Sequence, residues 1–396
     1  MKVYSKALDK SIHIERIIGK ITGETKGPTI VFFGGIHGNE TAGVFALNEV
    51  LHKINPNQVN GVIYGISGNL KALNSNQRYI EEDLNRLWLN GNTKNTNKTK
   101  QLSNEKKEQE ELNKILKTIL EKESEPYYFI DLHTTSGKTL PFITINDALI
   151  NRKFSKLFPV PIILGIEEFL DGPLLSYINQ LGYVSLGFES GQHNDKSAVT
   201  NCEAFIYLSL VFSRVIDENK VLSYYQYYNQ LKINAINNNQ IFEVVYLHKI
   251  KEGDVFKIKK EVKSFQTICK GQVLAINNKI NVISPFNAKL FMPLNQKKGK
   301  EGFFIIKKIN PIFLKLSEIL RRIRVDNLLI ILPGVTWKDR KKGILQVNLK
   351  VAKYMVKPIF HLLGYRNKQY NNTSIFLFNR ERVSKNKMYK NQPWYK

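Results

Sequence analysis

From residue 11 to about residue 216, short runs rich in β-branched and aromatic residues alternate with longer segments whose apolar positions recur every three or four residues. The short runs predict strands at 12–18, 29–33, 62–66, 128–132, 142–145, 161–164 and 184–189. The longer ones predict helices at 41–54, 104–122, 174–181 and 202–216. That alternation predicts an α/β sheet domain. Residues 90–99, a cluster of Asn, Gly, Thr and Lys, have little to bury and read as a surface loop. Beyond a polar stretch at 224–239, the helical period gives way to short strands at 241–250, 255–258, 267–276, 280–284, 288–292 and 302–307, separated by turn signals. The expected division is an α/β catalytic domain over 1–239, a small all-β domain over 240–310 and a C-terminal extension over 311–396.

In residues 313–332 the apolar positions Leu316, Ile319, Leu320 and Ile323 fall at helical spacing, with Arg321, Arg322 and Arg324 between them. The favoured reading packs the apolar stripe on the protein and leaves the basic face in water; the alternative lays the helix on an anionic surface. Residues 380–396 read as a tail of marginal order anchored by Trp394.

Charge changes this picture mainly at one end. The formal net charge is +25, and 19 Lys/Arg against 4 Asp/Glu fall within residues 311–396, so the excess is concentrated in the extension. The rest of the chain is also rich in Lys, Asn and Ile, so nucleic acid is not the expected partner, whereas contact of the basic segment with a membrane surface stays open. The first twenty residues have no apolar core of a leader peptide, and no run reaches the ~18 apolar residues of a spanning helix. Cys202 and Cys269 lie in apolar surroundings and read as buried free thiols, so a cytoplasmic setting is expected.

Candidate chemistry appears where apolar runs end. Residues 31–33 lead into Gly34-Gly35-Ile36-His37-Gly38-Asn39-Glu40, where glycines allow a tight turn and His37 and Glu40 stand three apart. An imidazole and a carboxylate so placed suit a metal, and the competing reading is a loop ion pair. A second run, Phe129-Ile130-Asp131-Leu132-His133, delivers another histidine, with Asp131 placed to orient it. Two histidines and one glutamate leave a position open for water. Val184 to Gln192 brings Glu189 to the end of a third apolar run, where it could serve as a base or simply pair with a lysine. Residues 77–88 carry Arg78, Asp83, Asn85 and Arg86; these suit either recognition of a carboxylate or a developing oxyanion, or a local ion-pair network.

Together, Gly35 to Glu40, Arg78-Tyr79 through Asp83-Leu84-Asn85-Arg86, Asp131-Leu132-His133-Thr134 and Phe188-Glu189-Ser190-Gly191 resemble the succinylglutamate desuccinylase/aspartoacylase family in order and spacing. The resemblance spans roughly residues 10–310 and implies a mixed-sheet, zinc carboxypeptidase-like α/β domain with the small all-β domain attached. It implies one Zn²⁺ per chain held by His37, Glu40 and His133, with Glu189 as the base in amide hydrolysis by metal-activated water. Arg78 would stabilise the oxyanion, Asn85 and Arg86 would bind the α-carboxylate of an amino-acid portion, and Asp83 would brace the arginines. The family's aspartoacylase-like members carry a further arginine before the catalytic glutamate strand. Residues 172–188 here contain no Arg or Lys, so neither N-acetylaspartate nor succinylglutamate is assigned as substrate.

The expected activity is hydrolysis of an N-acylated amino acid or a related small amide bearing a carboxylate. Two alternatives stand beside it: carboxypeptidase-like trimming of a peptide or protein tail, and non-enzymatic binding of an anionic partner. Related enzymes often self-associate, and the sequence does not specify an oligomeric state.

Overall fold

The computed structural model describes residues 1–88, 102–259, 262–348, 350–351, 356–371 and 374–395; the loop predicted at 90–99 lies outside them. An 11-stranded mixed sheet organises the molecule. Its strands are β1 (Ile17–Thr22), β2 (Thr25–Gly34), β3 (Asn60–Ser67), β4 (Tyr127–Thr135), β5 (Phe142–Thr144) and β6 (Ile162–Leu164). They continue with β7 (Val184–Gln192), β8 (Ile241–Lys249), β9 (Thr267–Ile268), β10 (Ala288–Phe291) and β11 (Glu301–Lys308). Across the sheet they run β9-β10-β11-β8-β6-β5-β7-β4-β2-β3-β1.

At its centre, β3, β2, β4 and β7 are mutually parallel, and their register sets Gly34 beside Leu132 and His133 beside Glu189. These strands are buried on both faces, which is why they read as continuous apolar runs. Side chains still alternate. Ile30 and Phe32 join a core with Leu47 and Phe205, from helices α1 (Ala42–Lys53) and α3 (Lys196–Phe212), while Val31 and Phe33 meet Leu112, Leu116 and Ile119 of α2 (Asn104–Lys122) on the other face. The result is a helix–sheet–helix sandwich whose parallel strand ends converge on one edge.

Strands from residues 240–310 prolong this sheet: β8 pairs parallel with β6 and antiparallel with β11, and β10 and β9 follow. Phe256–Ile258, Val273–Asn277 and Ile280–Ile283 form a separate three-stranded antiparallel sheet over Phe303 and Ile305. Helix α4 (Pro311–Arg322) then leads to a four-stranded antiparallel sheet with its own core, including Leu345, Val347, Tyr365 and Leu377. Among the described residues, no helix is long and apolar enough to cross a membrane.

Three local expectations are corrected. Helix α4 departs in part from the favoured reading: Leu320 packs against the C-terminal core and Arg322 and Arg324 are exposed as expected, but Ser317 and Arg321 are buried while Leu316, Ile319 and Ile323, with Ile312, are exposed. The Arg321 guanidinium donates to the Asp147 carboxylate at 2.9 Å and Ser317 donates to Leu362 O at 2.7 Å, so polar contacts fix the inner face. The C-terminal tail docks: the buried Tyr389 hydroxyl donates to Tyr127 O at 2.5 Å and accepts from Val184 N at 2.9 Å, and Trp394 packs against the main core. Cys202 is a buried free thiol, but Cys269, just beyond β9, is exposed.

Candidate metal and active site

The site forms where β2, β4 and β7 end. After β2 the chain turns at Gly35 (φ 74°), and a Cβ at Gly38 would sit 2.0 Å from the Ala72 carbonyl carbon, so this approach requires glycine. Glu40 N donates to His37 O at 3.1 Å, which curls the loop and brings both side chains inward just before α1. His133 and Glu189 arrive side by side from β4 and β7.

Within this pocket His37 Nδ1 lies 2.8 Å from Glu40 Oε1, and His133 Nδ1 lies 2.9 Å from Glu40 Oε2. One ligand atom from each of the three residues lies within 4.8 Å of the others, so the three could hold a metal ion. The opposite ring nitrogens face outer carboxylates: His37 Nε2 lies 3.0 Å from Asp83 Oδ1, and His133 Nε2 lies 2.7 Å from Asp131 Oδ2. That leaves both Nδ1 atoms turned toward Glu40, with a carboxylate behind each ring, an arrangement that in metal sites orients the imidazole and raises its basicity. The donor set also fits a divalent cation by charge: Glu40, Asp83, Asp131 and Glu189 converge on two imidazoles and Arg78. Burial opposes the charge on Glu40 and Asp83, yet the imidazoles and, for Asp83, Arg78 hold both carboxyls well below the usual range.

Glu189 differs from these acids. Burial raises its pKa to about 7, and its Oε2 has no hydrogen-bond partner among the described residues. An unengaged buried oxygen facing a cavity is free to accept a proton. Arg78 reaches Glu40 Oε1 at 3.4 Å and Asp83 Oδ2 at 3.2 Å. Asp83 also accepts from Asn85 N at 2.9 Å and so anchors both the loop and His37. The Asn85 side-chain oxygen is occupied by Leu174 N at 2.9 Å, which leaves its amide N–H groups to donate. Arg86 is paired with Glu301 of β11 at 2.9 Å.

His37, Glu40, Arg78, Asn85, Arg86, His133 and Glu189 all line one cavity of about 130 Å³, with Asp83 and Asp131 behind the histidines. The 77–88 segment forms the ion-pair network, and its two arginines also line the cavity. One cavity wall comes from residues 292–304, including Met292, Gln296, Glu301 and Phe304. Gln296 accepts from Asn39 Nδ2 at 3.0 Å, and Lys298 donates to Tyr79 O at 2.7 Å, tying this wall to the loops that carry His37, Glu40 and Arg78. Sequence reading missed Gln296 and Glu301, which carry no motif of their own. It also missed His193, whose Nδ1 lies 2.7 Å from Thr134 Oγ1. Its one sequence signal is its place four residues beyond Glu189.

Residues 26–161 match the succinylglutamate desuccinylase/aspartoacylase catalytic-domain model. The chain is 36% identical over 77 residues to a succinylglutamate desuccinylase of Photorhabdus laumondii, covering 19% of this chain and 23% of that protein. It is 28% identical over 116 residues to one of Pseudomonas aeruginosa, covering 29% and 33%. The matched segments thus span a third or less of these curated relatives. Among solved structures, a succinylglutamate desuccinylase/aspartoacylase from Rhodobacter sphaeroides superposes with a TM-score of 0.58 at 14% identity, covering 78% of this chain and 93% of that one. The product-bound ectoine utilization protein of Ruegeria pomeroyi gives 0.54 at 15% identity, covering 78% and 94%. The fold is accordingly the mixed α/β architecture of these structures, and residues 26–161 are similar to the catalytic domain of the succinylglutamate desuccinylase/aspartoacylase family.

Proposed function

We propose that this chain is a zinc-dependent hydrolase of the zinc carboxypeptidase-like class, cleaving the amide bond of an N-acylated amino acid or a related small carboxylate-bearing amide in the cytoplasm. The observation that carries this reading is the convergence of both histidine Nδ1 atoms on the two Glu40 oxygens, with the unengaged Glu189 carboxyl in the same cavity. Two histidines and one glutamate suit one Zn²⁺ per chain, which when bound acidifies water and polarises a carbonyl.

The remaining steps belong to this chain's own residues. Glu189 accepts the proton released by the attacking water and returns it to the leaving amine. Arg78 stabilises negative charge developing on the scissile carbonyl oxygen, in a cavity where water competes little. Asn85 and Arg86 orient the substrate carboxylate, Asp83 braces Arg78 and His37, and Asp131 orients His133. The wall assigned to the acyl end combines Ile166, Leu170, Pro173 and Leu175 with Asn146, Glu167 and Ser176. With no cation from that wall, an uncharged acyl group fits better than a second acid.

The cover formed by residues 292–304 favours a small substrate over a peptide tail, which would need an open groove. In this reading residues 1–239 supply the chemistry, 240–310 the cover and 311–396 an appended unit. The test is metal analysis paired with turnover on N-acyl amino acids. His37→Ala and His133→Ala should lose stoichiometric zinc, while Glu189→Gln should keep it and lose roughly 10²–10⁴-fold in kcat. Wild-type turnover by Glu189→Gln would remove that residue as base.

A further inference from the structure

We infer that the outer face of α4, with the turn that follows it, docks on an anionic lipid bilayer surface. Ile312, Leu316, Ile319 and Ile323 are spaced four, three and four residues apart, which places them along one stripe of the helix. All four face solvent, at 70%, 40%, 56% and 67% exposure. The turn over Val325–Ile331 adds Leu328 and Ile331 at 59% and 75%. Isolated exposed aliphatic residues are ordinary, but a contiguous run of this kind marks an interaction surface.

The stripe cannot be satisfied by rolling the helix inward. Arg321, on the opposite face, has a side chain only 1% exposed and is held by Asp147 at 2.9 Å and Glu381 at 3.4 Å. Rolling α4 would expel that guanidinium and take one of three arginine partners from the buried Asp147, which would keep Arg152 and Arg366.

Charge selects the partner. Lys315 and Arg322 flank the stripe on its exposed side and Arg324 follows directly; Arg322 is shared with Glu318 at 2.5 Å. The surrounding segment, residues 311–396, carries 19 Lys/Arg against 4 Asp/Glu; Arg321, Arg366 and Arg380 among them are buried, whereas Lys338, Arg340, Lys341 and Lys342 are exposed. A second copy of this chain would bring two such arrays together, and like charges facing each other oppose docking. An apolar stripe with a basic rim on a helix too short to span instead fits the boundary between anionic headgroups and acyl chains.

The experiment is co-sedimentation of the full chain with vesicles of phosphatidylcholine alone, or with roughly a third of it replaced by phosphatidylserine, at low and high salt. Binding should require the anionic lipid and weaken with salt. Ile319→Ser/Ile323→Ser should reduce the partition coefficient at least about tenfold, and Lys315→Glu/Arg322→Glu several-fold. Sedimentation velocity of the same proteins tests the competing occupant. The inference is overturned by no binding to anionic vesicles, by equal binding to neutral ones, or by unchanged binding of both variants. A wild-type dimer that Ile319→Ser/Ile323→Ser converts to monomer, without vesicle binding, would assign the face to a second copy. Circular dichroism checks each fold; should the apolar variant unfold, the charge variant decides.

Discussion

The attachment of the C-terminal four-stranded sheet to the main sheet rests on a buried charge cluster whose strength can be measured through Arg366. Its Nη2 lies 2.8 Å from Asp147 Oδ2 and its Nη1 lies 2.7 Å from Glu243 Oε1, with 3% of the side chain exposed. Arg366→Met keeps most of the volume and removes the charge. Breaking a buried pair costs about 3–5 kcal/mol. Asp147 keeps Arg152 at 2.6 Å and Arg321 at 2.9 Å, so the lower end of that range is expected. Glu243→Gln should cost about 2–3 kcal/mol, and the double variant should fall short of additivity by about 1–2 kcal/mol because both changes remove one bond.

Acid should reveal the same cluster. Burial works to raise the Glu243 carboxyl, but the His361 hydrogen bond and the Arg366 charge lower it from 4.5 to about 2. A depressed folded pKa means stability fully present above the ordinary value and lost as pH falls from 4.5 toward 2. That loss is on the order of 3 kcal/mol, and Glu243→Gln should flatten it. His361 acts in the opposite sense: burial lowers its pKa, but Glu168 and Glu243 raise it overall, so its contribution fades as pH rises through the folded value. Urea denaturation at pH 7 and along the acid limb reads all of these. Arg366→Met within about 0.5 kcal/mol of wild type would refute a strong buried pair at this site.

Two further changes probe the cavity and the docked tail. Glu301→Gln should free Arg86 from its 2.9 Å partner, lowering KM for carboxylate-bearing amides several-fold with little change in kcat; unchanged KM would show that Arg86 does not meet the substrate carboxylate. Tyr389→Phe should cost about 1–3 kcal/mol in urea denaturation, because it leaves Val184 N and Tyr127 O buried without their partner. A loss below about 0.5 kcal/mol would mean that the tail hydroxyl is dispensable.

The legible parts of the site are those whose geometry is written locally. His37 and Glu40 share one turn, and His133 and Glu189 occupy the ends of apolar runs that place them in register. A doubly buried strand announces itself by continuous hydrophobicity, and its end in a parallel sheet is where side chains can meet. Contacts made across long separations left no such trace. Arg86 and Glu301 are 215 positions apart, and Arg321 and Asp147 are 174 apart. Neither glutamate nor aspartate sits in a pattern that distinguishes it from a solvated acid. The strands of residues 240–310 were readable as strands, but their joining of the main sheet was not, because pairing through β8 depends on which edge the preceding chain leaves open.

Helix α4 shows why an amphipathic pattern alone cannot assign an inner face. Periodicity locates the apolar stripe, but the pattern is the same whether the stripe meets the protein or an external surface. Burying its aliphatic residues against the protein would contribute roughly 1.5–3 kcal/mol per side chain when complete. Against that stands the cost of losing Arg321 from a site where Asp147 is fully buried and where the guanidinium also donates to the carbonyls of Asp147, Leu362 and His361. Arg321 does not act alone, since Ser317, one turn earlier on the same face, is held by Leu362 O. Two polar anchors at i and i+4 fix the helix rotation, and the stripe must then point outward. An external apolar partner satisfies both faces at once. In that arrangement the polar anchors and the aliphatic stripe no longer compete, and the net positive charge of the segment is matched by the surface that the stripe enters.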